Sequence, residues 1–516
     1  MSAHEVVDPD PGLYSDDIRP TTAAERHWSV LNMASLWIGM VVCVPTYTLA
    51  ASLIKEGMSW WQAVMTIMLG NVIVLVPMVL GGHAGTKYGV PFPVLARASF
   101  GVKGAHIPSL LRALVACGWF GIQTWFGGFA IYQLVNALTG DALVGADLPV
   151  LGIDPGEITC FVVFWLLQIV IIHRGVESIR LLETAAAPFL IAIGLLLLGW
   201  AYAEAGGLGA MLSNRGQFGP GGAREGEFLS VFVPSLTAMV GFWATLSLNI
   251  PDFTRYAKTQ RDQVLGQALG LPTTMTLFAF ISVAVTAATT VIFADPETGA
   301  PGEPIWDPTV LAGRIGGGFT VVLSLLALAV ATLSTNIAAN VVSPANAMIN
   351  AAPERVSFRV GGFVTAGLGL VIFPWKLIET TGGYIFTWLV GYSALLGPIG
   401  GILLADYFLL RRTELHLTDL YRHGGRYAYR GGFNPAAILA FAVAVLPNVP
   451  GFLHQAGAIG DGVLPAWLDD VYTYAWFVGF ILAGALYLGL MRVLYPESGP
   501  ATPTPPEAAS SVKEAA

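Results

Sequence analysis

The chain reads as an all-α integral membrane protein of twelve transmembrane helices, and three observations lead there. Hydrophobic residues make up 55% of it and charged residues 11%, with a mean hydropathy of +0.66; soluble domains carry about 25% charged residues. Twelve apolar segments recur along it, most near the roughly 20 residues a helix needs to cross ~30 Å of hydrocarbon. With the N-terminus in the cytoplasm, 20 of the 25 Lys and Arg residues fall on the cytoplasmic side, the asymmetry that sets membrane orientation.

Residues 1–27 are polar, rich in acidic residues and prolines, and lack the apolar core of a cleavable signal, so they form a cytoplasmic tail. The spans follow at 28–52, 60–82, 109–139, 159–173, 180–203, 228–249, 268–294, 318–345, 357–374, 380–406, 434–456 and 471–495. Five spans over 28–203 and five over 228–406 form two repeats separated by an extracellular loop, 204–227. A cytoplasmic loop, 407–433, leads to two additional helices over 434–495 and a disordered cytoplasmic tail, 496–516, rich in Pro, Ala and Ser.

Composition also removes several functional classes. No basic patch points to nucleic acid, and the net charge of -8 carries no information about partners. Cys43, Cys117 and Cys160 all lie in apolar segments, which argues against a disulfide framework or metal cluster. The eight histidines form no ligand-spaced group within the spans, so a membrane enzyme lacks its chemistry. A channel needs a continuous polar pore, whereas the polar residues here are clustered.

The interruptions are informative. The first span contains Gly39 and Pro45, with a break expected near Gly39, and the sixth contains Pro234, Gly241 and Pro251. One breakable helix opening each group of five is the pattern of inverted-repeat transporters, which bind substrate and ion near the midplane.

In the third span, Trp119 and Gln123 are i and i+4, so an aromatic face and a primary amide share one side of a helix. A buried amide needs a partner, which is either a neighbouring helix or a ligand. In the eighth span, Ser334 and Thr335 are adjacent hydroxyls and Asn336 and Asn340 share a face. These hydroxyls either bond their own helix or supply hard oxygen ligands to an alkali cation. Trp37 and Trp125 read as packing residues, Asp252, Arg255 and Lys258 as a loop anchor, and Glu183 as the partner of Arg180.

Together, NMASLWIGM, ACGWFGIQTWFGG, FWATLSLNIPDFTRYAK and STNIAANVVSPANA resemble, in order, the nucleobase:cation symporter-1 family of hydantoin, allantoin, uracil and cytosine permeases. The resemblance implies a leucine-transporter-type five-plus-five inverted repeat plus two C-terminal helices. It implies a substrate ring held between Trp119 and Trp243, its edges read by Gln123 and Asn340, with a backbone contact at Phe242. It implies a sodium site of carbonyls from Ser35, Ile38 and Ala331 and hydroxyls from Ser334 and Thr335. The sodium–hydantoin carrier has glycine at the Phe242 position and glutamine at the Gly39 position, so the substrate is expected to differ from hydantoin.

The resulting expectation is a secondary active symporter without a cofactor, working as a monomer in the plasma (inner) membrane with both termini cytoplasmic. It imports a small planar nitrogen heterocycle such as allantoin, uracil or a hydantoin with sodium. A proton-coupled purine or cytosine permease is the alternative.

Overall fold

The computed structural model describes residues 6–174, 176–213, 215–315, 318–379 and 383–496, so nearly all of the C-terminal tail lies outside the described residues. The side chains of Arg180 and Glu183 lie outside them as well. The apolar segments are helical, because a chain crossing hydrocarbon must satisfy its backbone amides and carbonyls internally. Among the described residues, nine helices are long and apolar enough to cross a membrane. A tenth appears when Val30–Val41 and Val44–Lys55, bent by 59°, are taken as one span. The fifth predicted segment lies in the helix Val176–Glu204, and the ninth is also helical, though its apolar helix, Phe358–Val371, is shorter.

The first span breaks at Val42 and Cys43, three residues beyond Gly39. Pro45 explains the position. It supplies no amide to Val41, so the Val41 carbonyl accepts from Cys43 N instead, at 2.9 Å. That turn leaves the Gly39 carbonyl without its usual helical donor. The sixth span divides into Phe228–Phe242 and Ala244–Asn249 at Trp243. The tenth starts and ends in π-helical turns, Gly383–Leu389 and Ala405–Leu410, around Val390–Leu404.

Segments expected on one side of the membrane meet on one face of the protein. Thr21 N donates to Gly89 O at 2.8 Å, Asp10 N to Tyr421 O at 2.9 Å, and Arg97 Nη1 to both Leu13 O and Leu420 O at 2.9 Å. Arg255 donates to Asp17 O and Arg19 O at 3.2 and 2.8 Å, and Thr21 Oγ1 donates to Arg255 O at 2.7 Å. Arg255 is therefore an anchor, as its sequence position predicts, but a buried one that straps the N-terminal tail across the end of the sixth span. On the opposite face, Arg224 donates to Glu56 O at 3.1 Å and Lys55 pairs with Glu303.

The interior is organised by the third span, His106–Thr139, which packs most extensively against the eighth, Gly318–Ala351. Gly118 and Gly241 bring the tenth span close to the third and the sixth. A side-chain carbon at Gly118 would collide with the Trp388 indole, and one at Gly241 with the Ser393 hydroxyl.

Candidate functional site

One cavity, enclosing about 370 Å³, is lined by Trp119 and Gln123 of the third span, Phe242 and Trp243 at the sixth-span interruption, and Thr335 and Asn340 of the eighth. Every residue that the sequence nominates for substrate lines it. Reasoning from sequence missed Met40, Cys43, Thr245, Leu246 and Ala339, which complete the lining. These are apolar or small residues that nothing in the linear pattern separates from ordinary core.

The aromatic walls are fixed from behind. The Trp243 indole donates to Asn71 Oδ1 at 2.8 Å, while Asn71 Nδ2 is tied to Ile67 O at 2.7 Å. Trp37 meets Trp243 edge-on, with centroids 5.3 Å apart, and is fully buried, so its packing role holds. Trp119 is flanked by Trp388 at 5.9 Å and Tyr392 at 6.3 Å, both edge-on. Phe242 meets Trp119 at 5.3 Å and Trp243 at 4.9 Å. Such edge-to-face contacts each contribute about 0.5–1.5 kcal/mol beyond buried area, which makes these rings stiff plates. Trp125 stacks on Phe129 and packs on Trp375 away from the cavity, again as packing.

The two amides differ in how they are held. Gln123 is buried, and its Oε1 has no hydrogen-bond partner. Leaving such an oxygen unpaired costs about 1–3 kcal/mol, which a ligand N–H would recover. Asn340 is oriented by a relay of buried side chains. Its Nδ2 donates to Asn336 Oδ1 at 2.9 Å, and Asn336 Nδ2 donates to Gln168 Oε1 at 2.7 Å and to Phe120 O at 3.0 Å. Gln168 Nε2 donates to Thr124 Oγ1 at 2.9 Å, and that hydroxyl donates to Phe120 O at 2.6 Å. Gln168 and Asn71 are the missed supports. Each is a polar side chain inside an otherwise apolar span, the signal that marks intramembrane function.

A set of oxygens adjoins the cavity. Thr335 and Ser334 are buried, and Thr335 Oγ1 lies 3.4 Å from the Gly39 carbonyl that the helix break releases. Ala331 packs against Val42 at the same break. Ser35, one turn before Gly39, is exposed. The Ile38 oxygen accepts Val42 N at 3.2 Å, which leaves it a second lone pair. With the break at Val42 and Cys43, Gly39 is the first-span carbonyl that lies beside Thr335.

Beyond Asn340, Arg112 is fully enclosed. Its Nε and Nη2 donate to Asn249 Oδ1 at 3.1 and 2.9 Å, and Nη2 approaches Ala339 O at 3.4 Å. Asn249 Nδ2 lies 3.4 Å from Asp252 Oδ2, and Asp252 Oδ1 accepts Phe92 N at 2.8 Å. Asp252 is thus a buried junction between the sixth span and the Phe92–Phe100 helix.

The purine-uracil permease of Arabidopsis thaliana is 49% identical over 94% of this chain and 79% of its own length. The allantoin permease of Bacillus subtilis is 41% identical over 94% of both chains. The solved structure of Mhp1, a nucleobase-cation-symport-1 family transporter in a closed conformation with bromovinylhydantoin bound, is 27% identical. It superposes with a TM-score of 0.74 over 93% of this chain and 96% of that one. The profile of permeases for cytosine/purines, uracil, thiamine and allantoin matches residues 20–479, and the chain belongs to that family of membrane transporters.

Proposed function

We propose that the protein is a sodium-coupled symporter that imports a small planar nitrogen heterocycle, such as allantoin, uracil or a hydantoin, by alternating access. The observation that carries this reading is the convergence of Trp119, Gln123, Phe242, Trp243 and Asn340 on one cavity of about 370 Å³. The rings of Trp119 and Trp243 supply π-faces to a flat ligand, Phe242 limits its breadth, and the amides of Gln123 and Asn340 meet its edge. A five- or six-membered ureide or imide fits this reading better than a larger purine.

Sodium is carried as co-substrate. In this reading, the carbonyls of Ser35, Ile38 and Ala331 and the hydroxyls of Ser334 and Thr335 supply its oxygens, with the Gly39 carbonyl beside Thr335 as a further ligand. Such a site links the broken first span to the eighth, so an ion there stabilises one arrangement of the repeats and preorganises the adjacent cavity. No carboxylate is required for a neutral ring. The chain acts as a monomer in the plasma membrane, with both termini in the cytoplasm, because one chain carries the whole cavity and the Lys and Arg residues favour that orientation.

The test is uptake of labelled allantoin, uracil and hydantoin into proteoliposomes under imposed sodium or proton gradients. Saturable uptake of at least one ring, driven by sodium, is expected. Uptake indifferent to sodium but driven by a proton gradient would transfer the coupling role to a proton.

A further inference from the structure

Arg112 shares one face of the third span with Trp119 and Gln123. Seven residues separate it from Trp119, close to two helical turns or about 10 Å along the axis. It lies one layer beyond the cavity, because its Nη2 approaches the carbonyl of Ala339, a lining residue, at 3.4 Å. Its main partner, Asn249, ends the short helix Ala244–Asn249 that follows the break at Trp243 and supplies Thr245 and Leu246 to the lining. The Arg112–Asn249 contact thus joins the third span to the second half of the broken sixth, directly beneath the cavity.

A second buried arginine shows what is unusual about this one. Arg97 and Arg112 are 0% and 1% exposed. Arg97 is satisfied on every nitrogen: Nη1 donates to Leu13 O and Leu420 O, and Nε and Nη2 donate to Asn350 Oδ1 at 3.1 and 2.7 Å. That is a fixed anchor. Arg112 shares the single Asn249 oxygen between Nε and Nη2, and its Nη1 has no hydrogen-bond partner. Both of its acceptors are uncharged, and Asp252 is linked to it through Asn249, whose Nδ2 lies 3.4 Å from Asp252 Oδ2. A guanidinium held so sparingly in a dry interior is costly. Water admitted on opening would supply the acceptors that the closed arrangement withholds.

We infer that the Arg112–Asn249 contact is a latch that closes the substrate cavity on its cytoplasmic side and parts when the second half of the sixth span swings away from the third. The direction rests on the symporter reading, in which the third span begins at the cytoplasm. The latch itself requires no particular ring or coupling ion. One oxygen serving two donors closes the cavity without locking it.

The experiment uses the native Cys43 thiol as reporter, because it lines the cavity and is 4% exposed. Inside-out membrane vesicles carrying the full-length protein are treated with a membrane-impermeant, trimethylammonium-bearing methanethiosulfonate, and modification of Cys43 is followed by peptide mass spectrometry. Asn249→Leu and Arg112→Met are each expected to speed that modification about three- to tenfold, the effect of losing one net hydrogen bond on an opening equilibrium. The double variant should be no faster than the faster single, because the second change finds the contact already gone. Cys117 and Cys160, buried outside the cavity lining, should stay unmodified throughout, which separates opening from unfolding. Asn249→Ser covers the case in which Asn249→Leu does not fold. Unchanged Cys43 modification in the folded single variants, or accelerations that multiply in the double variant, would overturn the latch. Absence of heterocycle uptake by the native protein would sink the transport reading and leave this assay, which uses no substrate, intact.

Discussion

The Phe242 ring stands edge-on to the Trp119 indole, with planes 79° apart, and so closes the space between the two cavity walls. A ring at this position limits how wide a substrate the cavity admits. Phe242→Ala is therefore expected to weaken binding of the small native heterocycle about three- to tenfold, through lost aromatic contact. The same change should admit 5-benzyl-substituted hydantoins that the native protein rejects. Competition binding with substituted and unsubstituted rings measures both effects, and rejection of the bulky ring by the variant would show that another residue limits the width.

Gln168 never touches the cavity, yet it anchors the relay that aims Asn340. Gln168→Leu removes the acceptor of Asn336 Nδ2 and the donor to Thr124, within a fully buried network. Its expected effect is a five- to 150-fold rise in substrate Kd, equivalent to about 1–3 kcal/mol for buried polar groups left unpaired. Isothermal titration on the folded variant checks this; an unchanged Kd would mean that Asn340 keeps its aim without the relay.

Thr335→Val keeps the side-chain shape and deletes the oxygen nearest Gly39 O. The sodium concentration for half-maximal uptake should rise at least about tenfold, since one lost ion ligand worth ~1.4 kcal/mol changes an equilibrium tenfold. Substrate affinity at saturating sodium should stay within a few-fold of native. A sodium curve that does not move in Thr335→Val would remove this hydroxyl from the ion path.

Asp252 offers a test by pH. Burial pushes its carboxyl above the ordinary value of 3.8, and this outweighs the Phe92 amide and the nearby Arg112 and Arg255 charges that pull it down. A carboxyl that binds its proton more tightly in the folded than in the unfolded protein adds stability as pH falls and loses it as pH rises through the raised value. The native protein should thus lose thermal stability as pH rises above the ordinary carboxyl value of 3.8, by a slope that Asp252→Asn flattens. Parallel melting curves across pH for the two proteins would show that Asp252 is not the group responsible.

Much of the architecture was legible because membrane helices announce themselves by apolar length and by Lys and Arg asymmetry. The cavity side chains were legible because Trp119, Gln123 and Asn340 are conspicuous against aliphatic surroundings. Which first-span carbonyl the break releases was not. Gly39 and Pro45 both break helices, and only the redirected Cys43 amide reveals which carbonyl is released. Gln168 and Asn71 were present as lone polar residues, but their roles depend on which helix faces which, and linear spacing does not encode that. The burial of Arg255 also escaped, because a cation after a span reads as solvated until the tail is seen folded over it.

The relay behind Asn340 has a direction. It ends at the Phe120 main-chain carbonyl, which only accepts, so each amide before it turns its nitrogen along the relay toward that carbonyl. Asn340 consequently presents its oxygen as the free acceptor, and Gln123 presents another in Oε1. A recognition edge dominated by acceptors discriminates between tautomers. It favours ligands in their lactam forms, with ring N–H groups on the facing edge, over those that offer a bare ring nitrogen there.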